Sequence, residues 1–190
     1  MRVISITGGI GSGKSEVLKI LKEEFGAEVI VADQVAHQLM EQGKKGYRRV
    51  VELFGTSFLH SDGSIDRQKL SDLIFRDKVF VEKMNSVIHP MAWKEIQYEI
   101  DHSDKKLVVV EAALFDKEHN AMFDEIWYVY ADRELRIGRL MENRGYSREK
   151  CMEIMENQAS EDEFRAMADQ VIDNSKTVED LRVRLNELLK

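Results

Sequence analysis

Residues 8–15 read Gly8-Gly9-Ile10-Gly11-Ser12-Gly13-Lys14-Ser15. The pattern is G-x-x-x-x-G-K-[ST], the phosphate-binding P-loop. Glycine costs backbone entropy, so this concentration of it needs a reason. The reason here is access. A backbone without side chains can wrap a phosphate and aim its N–H groups at it, and a helix N-terminus behind the loop adds partial positive charge. In this reading Gly9, Ile10, Gly11, Ser12 and Gly13 form the cradle. Lys14 reaches the β- and γ-phosphates, and Ser15 offers its hydroxyl to Mg²⁺. The ligand so described is a nucleoside triphosphate with magnesium.

Phosphate loops serve GTPases, motor-like ATPases and small-molecule kinases. No N-K-x-D base-reading motif follows a late strand, and the remaining charged residues suit a small kinase better. Such a kinase needs a carboxylate near the acceptor hydroxyl. Asp33 follows the apolar run 27–31 (AEVIV) and is one candidate; its alternative role is to cap a helix beginning at Gln34. Glu111 directly follows KLVVV, where an acid would help hold magnesium through water, and capping or salt bridging is its alternative. Asp116 is a weaker candidate for the same task. Arginines should neutralise charge on the transferring phosphoryl group, and a closing lid commonly supplies them. Arg136, Arg139 and Arg144 lie in DRELRIGRLMENRGYS. Leu135 and Arg139 share a helix face, and Gly145 reads as a helix end. The alternative for all three is a solvated basic face.

These residues need elements to carry them. Residues 2–7 (RVISIT) are rich in β-branched side chains and read as a buried strand. A helix over 14–25 follows the loop, with Val17, Leu18, Leu21 and Phe25 at helical spacing and Gly26 as its stop. Further strands are expected at 27–31, 106–110, 125–131 and 170–172. Strands alternating with helices indicate βαβ units. The expected fold is therefore α/β: a P-loop NTPase-type three-layer sandwich with a five-stranded, mainly parallel sheet. Its core would comprise 1–32 and 104–190, with a lid at about 133–165. The stretch from about 33 to 103 is strand-poor and reads as a helical insert at the carboxyl end of strand two, the end where ligands bind in open α/β sheets. Within it Pro90 is expected to open a helix continuing over 91–100.

Composition sets bounds on function. The 190 residues are 43% hydrophobic and 33% charged, with a net charge of −7. That balance argues against a general nucleic-acid binder, which needs a basic face, and leaves room for an anionic small substrate held by a few local cations. No apolar run approaches the ~20 residues of a membrane span. The N-terminal MRVISITGG enters a strand directly, with no signal-peptide pattern, so a cytoplasmic protein is expected, as a monomer or small homo-oligomer. Cys151 is the only cysteine. It forms no internal disulfide and reads as a small buried side chain.

Taken in order, the motifs resemble those of the dephospho-CoA kinase family over nearly the whole chain. ITGGIGSGKS comes first, then an Asp after strand two. FGTSFLHSDGSIDRQKLSDLIF, NSVIHP, LRIGRLMENRGYS, ENQAS and ADQVIDN follow in the family's order. The resemblance implies ATP-dependent, Mg²⁺-assisted phosphorylation of the 3′-hydroxyl of dephospho-CoA, the last step of coenzyme A synthesis. It implies a helical insert that binds the acceptor, and a lid. Residue by residue, it makes Asp33 the base, Lys14 and Ser15 the triphosphate and magnesium ligands, and Arg139 and Arg144 the lid arginines. Arg67, His89 and Pro90 match insert positions near the acceptor, and Asn174 matches the adenine-side loop. Two stretches depart from the family's pattern. Val31-Ala32-Asp33 replaces D-A-D, with His37 where an Arg is usual. Ala112-Ala113-Leu114-Phe115-Asp116 replaces P-L-L-F-E, with Glu111 just before it as an acid that could serve magnesium. The competing readings are a related kinase for another nucleoside or small alcohol, and a nucleotide-binding protein without turnover.

Overall fold

The computed structural model describes residues 1–112 and 119–190, with side chains described except at 74–76. In chain order the elements are β1 (Arg2–Thr7), α1 (Lys14–Phe25), β2 (Glu28–Val31), α2 (Ala32–Leu39), α3 (Lys45–Phe54), α4 (Arg67–Arg76) and α5 (Lys78–His102). After these come β3 (Leu107–Glu111), a 3₁₀ turn (Asn120–Met122), β4 (Glu125–Tyr130), α6 (Arg133–Arg144) and α7 (Arg148–Glu156). The chain ends with α8 (Glu161–Met167), β5 (Gln170–Asp173) and α9 (Val178–Leu188). It divides into two compact units, Met1–Val29 with Ser103–Lys190, and Ile30–His102.

The sheet runs in the order β2-β3-β1-β4-β5. β1 lies parallel to both β3 and β4, and β5 lies parallel to β4. Central parallel strands are buried on both faces, which is why they read as continuous apolar runs rather than alternations. Ile4, Ile6, Leu107, Val109, Trp127, Val129 and Ile172 point to one face and pack with Val17, Ile20 and Leu21 of α1 and Leu181 and Leu185 of α9. On the other face Tyr128 stacks on Phe164 of α8, with ring centroids 5.0 Å apart. These are the layers of an α/β sandwich.

α1 begins at Lys14 and ends at Gly26, whose φ of 67° is left-handed and whose N–H bonds Leu21 O. A glycine there avoids the Cβ penalty of that conformation. β3 extends one residue beyond the expected strand, so Glu111 is its last residue and pairs with Ile6 of β1.

Beyond the last two residues of β2, the second unit is helical, with an antiparallel bridge between Leu59 and Ile65. Its core gathers Val50, Phe58 and Ile88, with Met40, Leu70 and Met84 packed around them. Pro90 does not start a helix; it lies inside α5. Proline there withdraws the N–H that would reach the carbonyl four residues back. The helix continues because Ile88, Ala92, Ile96 and Ile100 form a buried row at four-residue spacing on both sides of the proline. Tertiary burial outweighs the local break.

Leu21 is fully buried between α1 and the sheet. Leu21→Ala is expected to lower stability by about 2–5 kcal/mol, through lost transfer energy and the cavity left behind. Urea denaturation followed by circular dichroism checks this.

Candidate active site

Four glycines of the 8–13 stretch set the shape of the phosphate loop. Gly11 and Gly13 have φ values of 78° and 90°, in the left-handed region. Both also lack room for a side chain. A Cβ on Gly11 would come 2.9 Å from the Arg136 carbonyl oxygen, and one on Gly13 would overlap the Asn174 amide nitrogen.

Three successive loop carbonyls are held by side chains from the carboxyl half of the chain. Arg136 Nε donates to Ile10 O at 2.8 Å. Arg139 Nη1 donates to Gly11 O at 3.3 Å and Ser12 O at 3.2 Å, and Asn174 Nδ2 donates to Ser12 O at 2.8 Å. Arg139 Nη2 also donates to Asn174 O at 3.0 Å, which joins two of the donors. Peptides whose carbonyls are turned one way have their N–H groups turned the other, which makes an anion-binding nest. The N-terminus of α1 opens from the same loop, and no side chain caps it. Its first N–H groups therefore add their partial charge to the nest.

Lys14 Nζ donates to Gly8 O at 2.7 Å and lies 3.5 Å from Glu111 Oε1. The β1–β3 register produces that pair, because Glu111 stands beside Ile6 at the strand ends. Ser15 is exposed in the first turn of α1. Ser12 is buried, and its hydroxyl has no hydrogen-bond partner among the described residues. A buried unpartnered hydroxyl costs free energy unless a ligand satisfies it. The carbonyl-out loop, the uncapped helix end, Lys14 and this hydroxyl fit a bound triphosphate. The Ser15 hydroxyl and the Glu111 carboxylate are hard oxygen donors of the kind magnesium takes.

The arginines divide into two groups. Arg136 was expected on a lid or a solvated face, but it is half-buried against the loop, and burial lowers its pKa from the ordinary guanidinium value. Arg139 is also drawn onto the loop backbone. Arg144 is exposed at the last turn of α6, just before Gly145, the left-handed C-cap with φ 64°. The structure therefore brings Arg136 and Arg139 to the loop but not Arg144. Sequence reading gave Gln158 no role, although it lies in the ENQAS match; its side-chain oxygen accepts from Ile10 N at 2.9 Å. At the carboxyl end of β4, Tyr130 donates to Asp132 at 2.7 Å, and that bond pushes the phenol up to about 12. Cys151 is fully buried among Ile137 and Leu140, as a small apolar side chain.

In the second unit, Asp33 does not cap α2. The cap position is Val31, and Asp33 lies exposed in the first turn, two residues beyond β2. Its carboxylate favours the helix N-terminus electrostatically and is open to a ligand. A cavity of about 630 Å³ lies within this unit. Met40, Leu70, Met84 and Ile88 give it an apolar side, while His37, Glu41, Arg67 and His89 give it charged and titratable groups. Arg67 is the first residue of α4, whose N-cap Asp66 accepts from Gln68 N and Lys69 N. Asp116 lies outside the described residues.

A strand, a carbonyl-out glycine loop and a helix opening with Lys-Ser define a P-loop phosphate-binding protein. The fold agrees: a solved shikimate kinase from Acinetobacter baumannii overlays with a TM-score of 0.57 at 16% identity, covering 100% of this chain and 93% of that one. At that identity the likeness speaks for the fold alone. The family model for dephospho-CoA kinase matches residues 2–180, and the chain belongs to that family. A dephospho-CoA kinase of Carboxydothermus hydrogenoformans is 35% identical over 192 residues, covering 99% of this chain and 93% of the relative. The crystal structure of TT1252 from Thermus thermophilus overlays with a TM-score of 0.80 at 30% identity, covering 99% and 96% of the two chains.

Gly13→Ala is expected to displace Asn174 from Ser12 O and force a left-handed alanine. Titration calorimetry with ADP should show affinity reduced by at least about tenfold, or ~1.4 kcal/mol, with the far-ultraviolet circular dichroism unchanged.

Proposed function

We propose that this protein transfers the γ-phosphoryl group of ATP to the 3′-hydroxyl of dephospho-CoA, giving coenzyme A. The observation that carries the reading is the carbonyl-out phosphate loop in a chain whose family match spans residues 2–180. The departures at Val31, His37 and Ala112 leave the loop, Lys14 and Asp33 in place.

The chain's own groups divide the work. Amides of the loop and of the first turn of α1 bind the β-phosphate, and Lys14 spans the β- and γ-phosphates. Its present contact with Gly8 O positions the ammonium at the mouth of the loop. Ser15 and Glu111 are the residues assigned to hold magnesium, which would supply neutralisation of the triphosphate charge. Asp33 accepts the proton of the attacking 3′-hydroxyl, or orients that hydroxyl for in-line attack. Its carboxylate is exposed and unburdened by capping, which suits both tasks. Arg139 ties the loop to the segment we assign as a lid, about 133–165, and Arg144 is assigned to approach the triphosphate when the lid closes. Asn174 lies beside the loop and is assigned to the adenine side. Little covalent work falls to the protein, so most of the rate comes from positioning and electrostatics.

The acceptor is assigned to the helical unit. Dephospho-CoA combines a long pantetheine arm, whose methylene and gem-dimethyl groups alternate with two amides, with an anionic diphosphate. The cavity offers apolar side chains for the arm, Met40, Leu70, Met84 and Ile88, and Arg67 for the charge, with His37 and His89 as hydrogen-bonding groups. Ligand cavities typically combine an apolar lining with a few placed polar groups in this way.

Two substitutions test the assignment. Asp33→Asn is expected to lower kcat by about 10²–10⁴-fold, the usual contribution of a general base, while ADP affinity by calorimetry stays near that of the parent. Unchanged turnover would remove Asp33 from the chemistry. Arg67→Ala is expected to raise the KM for dephospho-CoA by about tenfold, consistent with loss of a charge-assisted contact worth ~1.5 kcal/mol or more. The KM for ATP should not move, and a coupled assay of ADP release measures both constants.

A further inference from the structure

Ile10 stands at the apex of the phosphate loop, and one stretch of chain holds every group it carries. Its carbonyl accepts from Arg136 Nε at 2.8 Å, and its N–H donates to Gln158 Oε1 at 2.9 Å. Its side chain packs against buried Ile137, Leu140 and Cys151. Arg136 lies in the first turn of α6, and Gln158 follows α7. The Arg136 guanidinium also lies so close to Gly9 that a Cβ there would overlap it. Apolar packing alone would not orient a peptide group. The two hydrogen bonds do, because they fix the N–H of the peptide before Ile10 and the carbonyl of the peptide after it. The left-handed Gly11 follows directly.

We propose that Gln158 and Arg136 are positioning residues for phosphoryl transfer: together they clamp the peptides on either side of Ile10 and hold the loop in its anion-binding turn. The α6–α7 segment thereby sets nucleotide affinity without touching nucleotide through either side chain. The proposal rests on the reading that this loop holds ATP. The Ile10 N–H is already committed to Gln158, so phosphate is left to the amides beyond it. A loop ordered in advance does not lose that freedom when nucleotide binds, which is the general source of gain from preorganisation. The coupling is reciprocal, so nucleotide must steady the segment by as much as the segment steadies nucleotide.

The test uses ADP calorimetry without acceptor, and steady-state kinetics with dephospho-CoA. Gln158→Leu and Arg136→Ala should each raise the Kd for ADP and the KM for ATP about tenfold, while the KM for dephospho-CoA stays put. Gln158→Met keeps the length of the side chain without its acceptor oxygen and should be impaired about as much as Gln158→Leu. The double variant should fall short of the product of the two single effects, because either loss releases the same turn. Hydrogen exchange in 133–158 should slow with ADP in the parent, and less so in Gln158→Leu. Melting curves check the fold of each variant, and Gln158→Ala replaces Gln158→Leu if the latter does not fold.

An unchanged ADP Kd in both single variants overturns the proposal. So does a Gln158→Met variant that binds ADP as tightly as the parent, since packing rather than the hydrogen bond would then be responsible. A parent that binds ADP but makes no coenzyme A overturns the acceptor assignment and leaves the clamp standing. A parent with no affinity for ADP overturns both.

Discussion

The peptide orientation of residues 10–12 is the constraint on which the rest depends. A glycine-rich turn has many accessible conformations, and only a few present N–H groups to an anion. Here the choice is made from behind. Arg136, Arg139 and Asn174 take the carbonyls of Ile10, Gly11 and Ser12. These donors stand on α6 and on the turn after β5, so the sheet order that places β4 and β5 on one side of β1 is a precondition for the loop. Three cations near the loop (Lys14, Arg136 and Arg139) build a local positive field in a chain whose net charge is −7. The global balance therefore says little about the ligand, and the local arrangement says a great deal.

The two units divide the chemistry by type. The sheet unit provides backbone amides, a lysine and fixed guanidinium groups, which suit a compact polyanion. The helical unit provides a cavity with an apolar wall and a charged edge, which suits a long amphipathic acceptor. Asp33 belongs to the second unit by packing and to the sheet by sequence, since only Ala32 separates it from β2. Among the described residues no helix is long and apolar enough to cross a membrane.

The phosphate loop, α1 with its Gly26 stop, and the β1 boundaries were legible in the sequence because each is set by local chemistry: glycine freedom, a 3.6-residue period, a run of β-branched residues. Glu111 was legible for the same reason, as the polar end of an apolar strand. Pro90 was misread because its local preference for a helix start lost to the buried row from Ile88 to Ile100. The first turn of α2 was misplaced by a short margin, since Asp33 reads equally well as a cap. Arg136 was read only as a charge for the phosphoryl group and Gln158 only as part of a motif; their contacts with the loop backbone could not be read, because those partners lie 126 and 148 residues away along the chain. An arginine in a polar helix carries no sign of whether it faces water or a carbonyl. The apolar Ile10 in the middle of a glycine loop was the one local hint that something packs on the loop.

The position of the new phosphate decides the central claim. Incubation of the purified protein with Mg–ATP and dephospho-CoA, followed by mass spectrometry and phosphorus NMR of the product, identifies both the molecule and the carbon that is modified. The account predicts coenzyme A, with one phosphate monoester on the ribose 3′ carbon and one ADP formed per molecule. Phosphorylation elsewhere on the acceptor, or ATP bound with no phosphoryl group transferred to dephospho-CoA, would contradict it.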